Sequence, residues 1–126
     1  MKIVCVIDDD PIFVLTVVKL IQIENFCDKV VVYKNGAEAI TGINACLNSG
    51  GELPCIILLD INMPVMNGWE FLEKFIEIPD HTIVDLFIST SSINRSDVTK
   101  SKKYKIIKDY LVKPITSKIL RELSKK

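Results

Sequence analysis

Short apolar runs without polar alternation recur along the chain, and segments of helical periodicity separate them. The run from Cys55 to Leu59 indicates a strand that is buried on both faces, as at the centre of a parallel sheet. Similar runs predict four further strands, over residues 3–7, 30–33, 83–88 and 110–112. Four of the five strands precede an amphipathic helix, predicted by apolar residues three and four positions apart and beginning near residues 11, 36, 68 and 116. A fifth helix, predicted from residue 95, is poorly amphipathic.

Five strand–helix units predict an α/β protein with a flavodoxin-like (βα)5 fold, a doubly wound five-stranded parallel sheet in the order 2-1-3-4-5. The 126 residues contain no linker or low-complexity tract, so we expect a single domain over residues 1–126. The last predicted helix ends with the chain, which favours a stand-alone domain. The fourth helix, predicted for residues 95–104, has Val98 as its main apolar residue and should be loosely held.

The composition is ordinary for a soluble globular protein, with 48% hydrophobic and 25% charged residues. No apolar run reaches the roughly 18 residues that a membrane span needs, and no signal-peptide pattern precedes the first strand. The four cysteines show no metal-binding spacing. We therefore expect reduced thiols and a cytoplasmic protein without a membrane partner.

The formal net charge of zero hides an asymmetry along the chain. Residues 1–94 carry 5 basic and 13 acidic side chains, whereas residues 95–126 carry 11 and 3. Solvated helix faces account for most of these lysines. The alternative hypothesis is that the C-terminal third offers a basic surface to an acidic partner, in a complex that salt would weaken.

Acidic side chains follow two of the predicted strands. Asp10 has a structural role available, because it precedes Pro11 at a predicted helix start and can cap that helix. Asp8 and Asp9 have no such role, and in the predicted order their strand neighbours the one that ends at Asp60. Clustered carboxylates raise one another's pKa unless a cation intervenes, and an all-oxygen site suits Mg²⁺.

Thr90 and Lys113 follow the fourth and fifth predicted strands at the same edge of the sheet. A hydroxyl and an ammonium opposite a metal ion can bind a phosphoryl group. The sequence offers no serine or cysteine nucleophile with a nearby base, and its single histidine, His81, precedes the fourth strand. Phosphoryl transfer to an aspartate is the chemistry that these residue types favour.

Four motifs fall at four strand ends: Asp8-Asp9, Asp60-x-x-Met63-Pro64-x-Met66-x-Gly68, Thr90, and Tyr110-x-x-Lys113-Pro114. Together they closely resemble the receiver domain of two-component response regulators, including the stand-alone chemotaxis type. The order and approximate spacing match over essentially the whole chain. The resemblance implies a phosphoprotein that works in a phosphorelay.

The same resemblance implies that Asp60 is the phosphoacceptor and that Mg²⁺ is the cofactor. Asp9 would bind the ion directly, and Asp8 would bind it through water. Asp60 and the backbone carbonyl of Asn62 would complete the protein ligands. Asn62 and Ser92 occupy the positions at which the family tunes the lifetime of the phosphoryl group.

The resemblance further implies how a phosphoryl group would change the protein surface. Lys113 would pair with the phosphoryl group, and the Lys113–Pro114 peptide bond would be cis. Thr90 would be the switch hydroxyl, and Ser89 is the alternative if the register differs by one residue. Tyr110 would swing inward behind the switch hydroxyl.

The implied phosphodonor is a sensor histidine kinase or a histidine phosphotransfer domain, with Phe13, Thr16 and Ile115 as candidate docking residues. A downstream protein would bind the face formed by the fourth helix, the fifth strand and the fifth helix. The protein would be a monomer or a phosphorylation-dependent dimer without direct nucleic-acid binding. Its chemistry would be limited to autocatalytic phosphoryl acceptance and self-dephosphorylation.

Three other functions stay open. An Mg²⁺-dependent phosphatase with an aspartate nucleophile needs a second acid two residues later, where this chain has Asn62. A flavin-binding protein of the same fold class would carry a hydroxyl-rich phosphate loop in place of the three aspartates at residues 8–10. A receiver-like interaction module that is never phosphorylated would not need an intact acidic site.

Overall fold

A computed structural model describes residues 1–91 and 94–123 of the chain. The strands are β1 (Ile3–Ile7), β2 (Lys29–Tyr33), β3 (Ile56–Leu59), β4 (Asp85–Thr90) and β5 (Ile107–Val112). The helices are α1 (Pro11–Ile23), α2 (Gly36–Asn48), α3 (Gly68–Phe75), α4 (Arg95–Ser101) and α5 (Ser117–Leu123), with a 3-10 turn at His81–Ile83. All strand pairs are parallel, in the order β2-β1-β3-β4-β5, so the predicted flavodoxin-like sheet is confirmed.

The sheet divides the buried interior into two apolar layers, because successive side chains of a strand point to opposite faces. On one face α1 and α5 cover the strands, and Phe13, Val17 and Leu120 are among the buried residues. On the other face α2 and α3 cover them, and Phe71 and Phe75 are fully buried. β3 is buried at every position from Ile56 to Leu59, as predicted, whereas Cys55 at the predicted start of the run is exposed and precedes the strand.

The predicted start of β4 at residue 83 is wrong. Ile83 belongs to the 3-10 turn and is 68% exposed, whereas sheet pairing begins at Asp85. There the Asp85 amide donates a hydrogen bond to the carbonyl of Cys55 at 2.9 Å. Pairing with β3, rather than the local run of apolar residues, therefore sets the start of this strand.

β5 and α4 also differ from their predicted lengths. β5 begins at Ile107, opposite Leu86 of β4, rather than at residue 110. Every residue of β5 except Leu111 is exposed or half-buried. The first half of this edge strand therefore lacks the apolar run that marks the central strands. α4 ends at Ser101 rather than at residue 104, and the following residues form turns.

The register of the two central strands brings the acidic strand ends together. Ile7 of β1 lies opposite Leu59 of β3, so Asp8 and Asp60 follow neighbouring strands at the same level. The Asp60 amide donates a hydrogen bond to the Ile7 carbonyl at 2.9 Å, which fixes that level. Both side chains therefore emerge at the carboxyl edge of the sheet.

Candidate functional site

The carboxylates of Asp8, Asp9 and Asp60 meet at the carboxyl edge of β1 and β3. One oxygen from each of the three lies within 4.8 Å of the other two. Asp8 is 1% exposed and Asp60 is 7% exposed, whereas Asp9 faces solvent. The structure thus brings together the three acids that the sequence pattern singles out.

Asp8 is oriented by its own loop and by Lys113. Its Oδ1 accepts a hydrogen bond from the Asp10 amide at 2.9 Å. Its Oδ2 lies 2.7 Å from Lys113 Nζ. Apart from this ion pair, Oδ2 has no hydrogen-bond partner in residues 1–91 and 94–123. A buried oxygen in this condition is a ready ligand for a cation.

The N-terminus of α1 is fixed by the next residue of the same loop. The Asp10 side chain accepts hydrogen bonds from the amides of Ile12 at 3.0 Å and Phe13 at 3.3 Å, and Pro11 occupies the first helical position. Asp10 is therefore the helix cap that the sequence predicts. Its side chain is engaged in capping, which leaves Asp8 and Asp9 to form the acidic cluster with Asp60.

Lys113 joins the acidic cluster to β5. Its Nζ lies 4.0 Å from Asp60 Oδ2, so one ammonium faces both buried carboxylates. The Lys113 amide donates to the carbonyl of Thr90 at 2.8 Å, and the Lys113–Pro114 peptide bond is cis. The side chain is only 15% exposed, which limits the competition of water for its charge.

The Asp60 carboxyl is strongly perturbed. Burial raises its pKa from 3.8 to about 6, and the nearby Asp8 carboxylate acts in the same direction. Lys113 and a hydrogen bond from the Asn62 amide oppose the rise. Asp60 is ionised at neutral pH, but its charge is destabilised by desolvation and by its acidic neighbour. A bound cation would relieve both effects.

The donor set fits a hard divalent cation. Its side-chain donors are the carboxylate oxygens of three aspartates. Mg²⁺ prefers oxygen ligands and retains waters that a phosphate oxygen can replace. Asp8, Asp9 and Asp60 would hold the ion. Asn62 follows the strand end at an exposed position, where its backbone carbonyl is the further ligand that the resemblance implies.

A glycine holds the loop after Asp60 in place. The Gly68 amide at the start of α3 donates to the carbonyl of Ile61 at 2.8 Å. A Cβ at this position would lie 2.6 Å from the Asp60 carbonyl oxygen and 2.9 Å from the Ile61 Cα. Only glycine allows the first turn of α3 to approach the strand end this closely.

Comparison with known proteins identifies the family. The family model of the response regulator receiver domain matches residues 4–125 of the chain. The chain belongs to this family.

Several solved structures are similar to this receiver domain. A two-component response regulator from Cytophaga hutchinsonii is 28% identical, with a TM-score of 0.88 over 99% of this chain and 95% of that one. A two-component response regulator from Legionella pneumophila is 24% identical, with a TM-score of 0.84 over 98% and 95%. The Vibrio cholerae chemotaxis protein CheY4 is 22% identical, with a TM-score of 0.82 over 99% and 97%. The last two support the fold alone. No curated protein sequence matches significantly.

Membership of this family gives the acidic cluster its context. A receiver domain acts in two-component signalling with a phosphodonor and a downstream partner, and it is not an enzyme in the classical sense. The cluster of three aspartates is consistent with a phosphorylation site. Within residues 1–91 and 94–123, no helix has the length and hydrophobicity of a membrane span.

Two hydroxyl side chains end β4 of the receiver domain. Thr90 is 3% exposed and is the last residue of the strand. Ser89 is fully buried, and its Oγ has no hydrogen-bond partner within the described part of the chain. The β3–β4 register pairs Leu59 with Ile88, the residues that precede Asp60 and Ser89. Both candidates for the switch hydroxyl therefore lie at the end of β4, the strand next to the one that Asp60 follows, whereas Ser92 lies outside the described residues.

Tyr110 connects β5 of the receiver domain to α4. Its hydroxyl donates to the backbone carbonyl of Asp97 at 2.7 Å. All seven residues of α4 are exposed or half-buried, and Val98 is 36% exposed. The Lys100 ammonium lies 5.8 Å from the centre of the Trp69 ring in α3. Polar and cation–π contacts, rather than a buried face, hold this helix, as its weak apolar pattern predicts.

The predicted docking residues differ in exposure. Thr16 of α1 is exposed, but Phe13 and Ile115 are 8% and 5% exposed and offer little surface to a partner. Sequence reasoning missed Ile12 and Leu15, which are 76% and 62% exposed. The signal was available, because these apolar residues lie off the face that buries the helix.

Proposed function

We propose that Asp60 accepts a phosphoryl group from a phosphohistidine of a sensor histidine kinase or a histidine phosphotransfer domain. The observation that carries this proposal is the convergence of three carboxylates within 4.8 Å, with Lys113 Nζ beside two of them. The arrangement supplies an acceptor, a cation-binding cluster and a fixed positive charge at one edge of the sheet. Transfer of an anionic phosphoryl group to a carboxylate needs all three, because the reacting groups repel each other.

Mg²⁺ is the proposed cofactor. The three carboxylates and the backbone carbonyl of Asn62 would hold it. When bound, the ion would neutralise the charge that develops on the phosphoryl oxygens. Lys113 would bind a phosphoryl oxygen from the β5 side, and the Thr90 hydroxyl would donate a hydrogen bond to another.

The proposed chemistry is one self-limited cycle. An Asp60 oxygen forms a bond to phosphorus while the phosphorus–nitrogen bond to the donor histidine breaks, and the ring nitrogen takes up a proton. Water later attacks the phosphorus, which releases inorganic phosphate and restores the Asp60 carboxylate. Asn62 and Ser92 are the proposed determinants of the phosphoryl lifetime. Turnover of a phosphate monoester is not part of the proposal, because Asn62 stands where the phosphatase needs an acid.

The proposed output is a changed face of α4, β5 and α5. Because Tyr110 bonds to the Asp97 carbonyl of α4, an inward swing of its ring toward Thr90 would release that helix. The 11 basic against 3 acidic side chains of residues 95–126 favour an acidic downstream protein. Binding to that partner should weaken as ionic strength rises.

The proposed docking face for the phosphodonor is the exposed side of α1. Leu15 lines a groove of about 530 Å³ that runs from Asp8 and Asp9 along α1 to β2. Ile12 and Thr16 are exposed on the same helix. Leu15→Ala should slow phosphoryl transfer from a phosphorylated histidine domain and leave transfer from acetyl phosphate unchanged. Equal slowing with both donors would refute docking at this face.

The experiment that tests the function is incubation with acetyl phosphate, with Mg²⁺ or with EDTA, followed by intact-protein mass spectrometry. We expect the added mass of one phosphoryl group in Mg²⁺ only, and none in Asp60→Asn. Asp85→Asn is the matched control, because the carboxylate of this aspartate forms an exposed ion pair with Lys108 at 3.6 Å, at the start of β4 and away from the acidic cluster. Phosphorylation that persists in Asp60→Asn, or that needs no metal, would refute the proposal.

A further inference from the structure

The face of a buried aromatic ring lies against the ammonium of Lys113. Lys113 Nζ is 4.3 Å from the centre of the Phe13 ring, 2.7 Å from Asp8 Oδ2 and 4.0 Å from Asp60 Oδ2. The ammonium is therefore enclosed by two carboxylates and one ring. The distance to the ring is within the range of a cation–π interaction.

The position of the Phe13 ring is well determined by the local sequence. Its amide donates to the Asp10 cap, and Pro11 fixes the first helical turn. The ring is 8% exposed and packs in the same buried cluster as Val17 and Ile21 of α1. One short loop thus fixes the ring on one side and the Asp8 carboxylate on the other.

A lysine at this point needs such a restraint. Its four-carbon side chain is flexible, and an ion pair with one carboxylate alone would allow the ammonium to occupy several positions. An aromatic face attracts the charge but accepts no conventional hydrogen bond, so all three ammonium protons stay available to oxygen. Leucine would fill similar space without attracting the charge.

We infer that Phe13 is a positioning residue that holds the Lys113 ammonium between Asp8 and Asp60. The functional effect of this positioning rests on the proposed function, because the Lys113 ammonium is the group that would bind the phosphoryl oxygen. It replaces the role of Phe13 in docking, for which the ring has almost no exposed surface. Phe13 acts through Lys113 and does not touch the reacting atoms.

Two variants and one matched control test this inference. Phe13→Leu removes the ring and keeps an apolar side chain, and Phe13→Tyr keeps the ring. Phe26 forms the same type of contact far from the site, with Lys2 Nζ 4.0 Å from its ring centre and 9% of its surface exposed. Phe26→Leu therefore loses a comparable ring and a comparable cation–π contact without altering the acidic cluster.

The first measurement is the chemical shift of the Lys113 ε-methylene protons without metal or phosphate. The ring should move these protons upfield in the wild type and in Phe13→Tyr, and the shift should be lost in Phe13→Leu. The second measurement is the affinity for beryllofluoride in Mg²⁺. We expect Phe13→Leu to bind about 2- to 30-fold more weakly, the equivalent of roughly 0.5 to 2 kcal/mol, with Tyr restoring the affinity.

An unshifted Lys113 in the wild type would overturn the inference, and so would a Phe26→Leu loss of affinity equal to that of Phe13→Leu. Failure of Tyr at position 13 to restore binding would overturn it as well. If the wild type itself bound no beryllofluoride while Lys113 kept its upfield shift, the proposed function would fail and the placement of Lys113 by Phe13 would stand.

Discussion

Replacement of Asp60 by Asn should stabilise the metal-free protein at neutral pH. The folded state raises the pKa of Asp60 from 3.8 to about 6, chiefly because the carboxyl is buried and Asp8 lies nearby. The folded state therefore binds a proton more tightly than the unfolded chain does. Stability is highest below the unfolded pKa, falls as the pH rises from about 4 to about 6, and stays reduced above that.

The size of this effect follows from the shift. A difference of about two pKa units corresponds to roughly 3 kcal/mol between protonated and ionised Asp60. We reduce this to about 1–2 kcal/mol, because the asparagine amide is desolvated at the same position and does not pair with the Lys113 ammonium. Asn has the same shape without the charge, so Asp60→Asn should gain about that amount near pH 7.

The assay is urea unfolding of both proteins in EDTA, near pH 7 and near pH 4. The gain of Asp60→Asn should be present at the higher pH and should nearly vanish at the lower one, where the wild-type carboxyl is protonated. Saturating Mg²⁺ should reverse the order, because binding to the native state stabilises the wild type more. Equal stability of the two proteins in EDTA near pH 7, or a gain that is independent of pH, would refute the reasoning.

Three further predictions concern the loops around the site. Gly68→Ala should lower the free energy of unfolding by about 1–3 kcal/mol and weaken Mg²⁺ binding, because the added Cβ would meet the Asp60 carbonyl. The control is Gly50→Ala, whose Cβ has nothing within 4 Å and which should leave the Mg²⁺ affinity unchanged. Val65 is 82% exposed and has a φ of 69°, a left-handed conformation that strains a β-branched residue. Val65→Asn should therefore raise the free energy of unfolding in urea by about 0.5–1 kcal/mol, and a lower value than in the wild type would contradict this. Asp9→Asn should weaken Mg²⁺ binding at least about tenfold in calorimetry while the protein stays folded, and unchanged affinity would remove Asp9 from the ligand set.

The central part of the fold and the candidate site could be predicted from the sequence for one physical reason. Strands buried on both faces must be apolar throughout, so the residue at which the run stops is visible in the sequence. That is how Asp8 and Asp60 could be placed at one edge. Parallel pairing then brings the ends of neighbouring strands in the sheet together, whatever their distance along the chain.

The parts that could not be predicted depend on contacts between distant segments. The start of β4 depends on the hydrogen bond from the Asp85 amide to the Cys55 carbonyl. β5 is an edge strand, and its first three residues are exposed or half-buried. The roles of Phe13 and Leu15 could not be separated by periodicity alone. Which of them is buried depends on where α5 and Lys113 lie against α1, and the distance between a helix residue and a strand end 100 positions later cannot be read from a pattern.

The energetics of the site support a functional origin for the acidic cluster. Asp8 is buried, and within the described residues the partner of its Oδ2 is the Lys113 ammonium. Asp60 is ionised at neutral pH although its surroundings raise its pKa. A buried ion pair seldom exceeds a packed apolar pair in stability, so folding alone gives no reason for this arrangement. The loss of stability caused by burying these carboxylates is explained if they are held in position for a cation and an incoming phosphoryl group. Stability gained in Asp60→Asn together with phosphorylation lost would be the expected trade between the two.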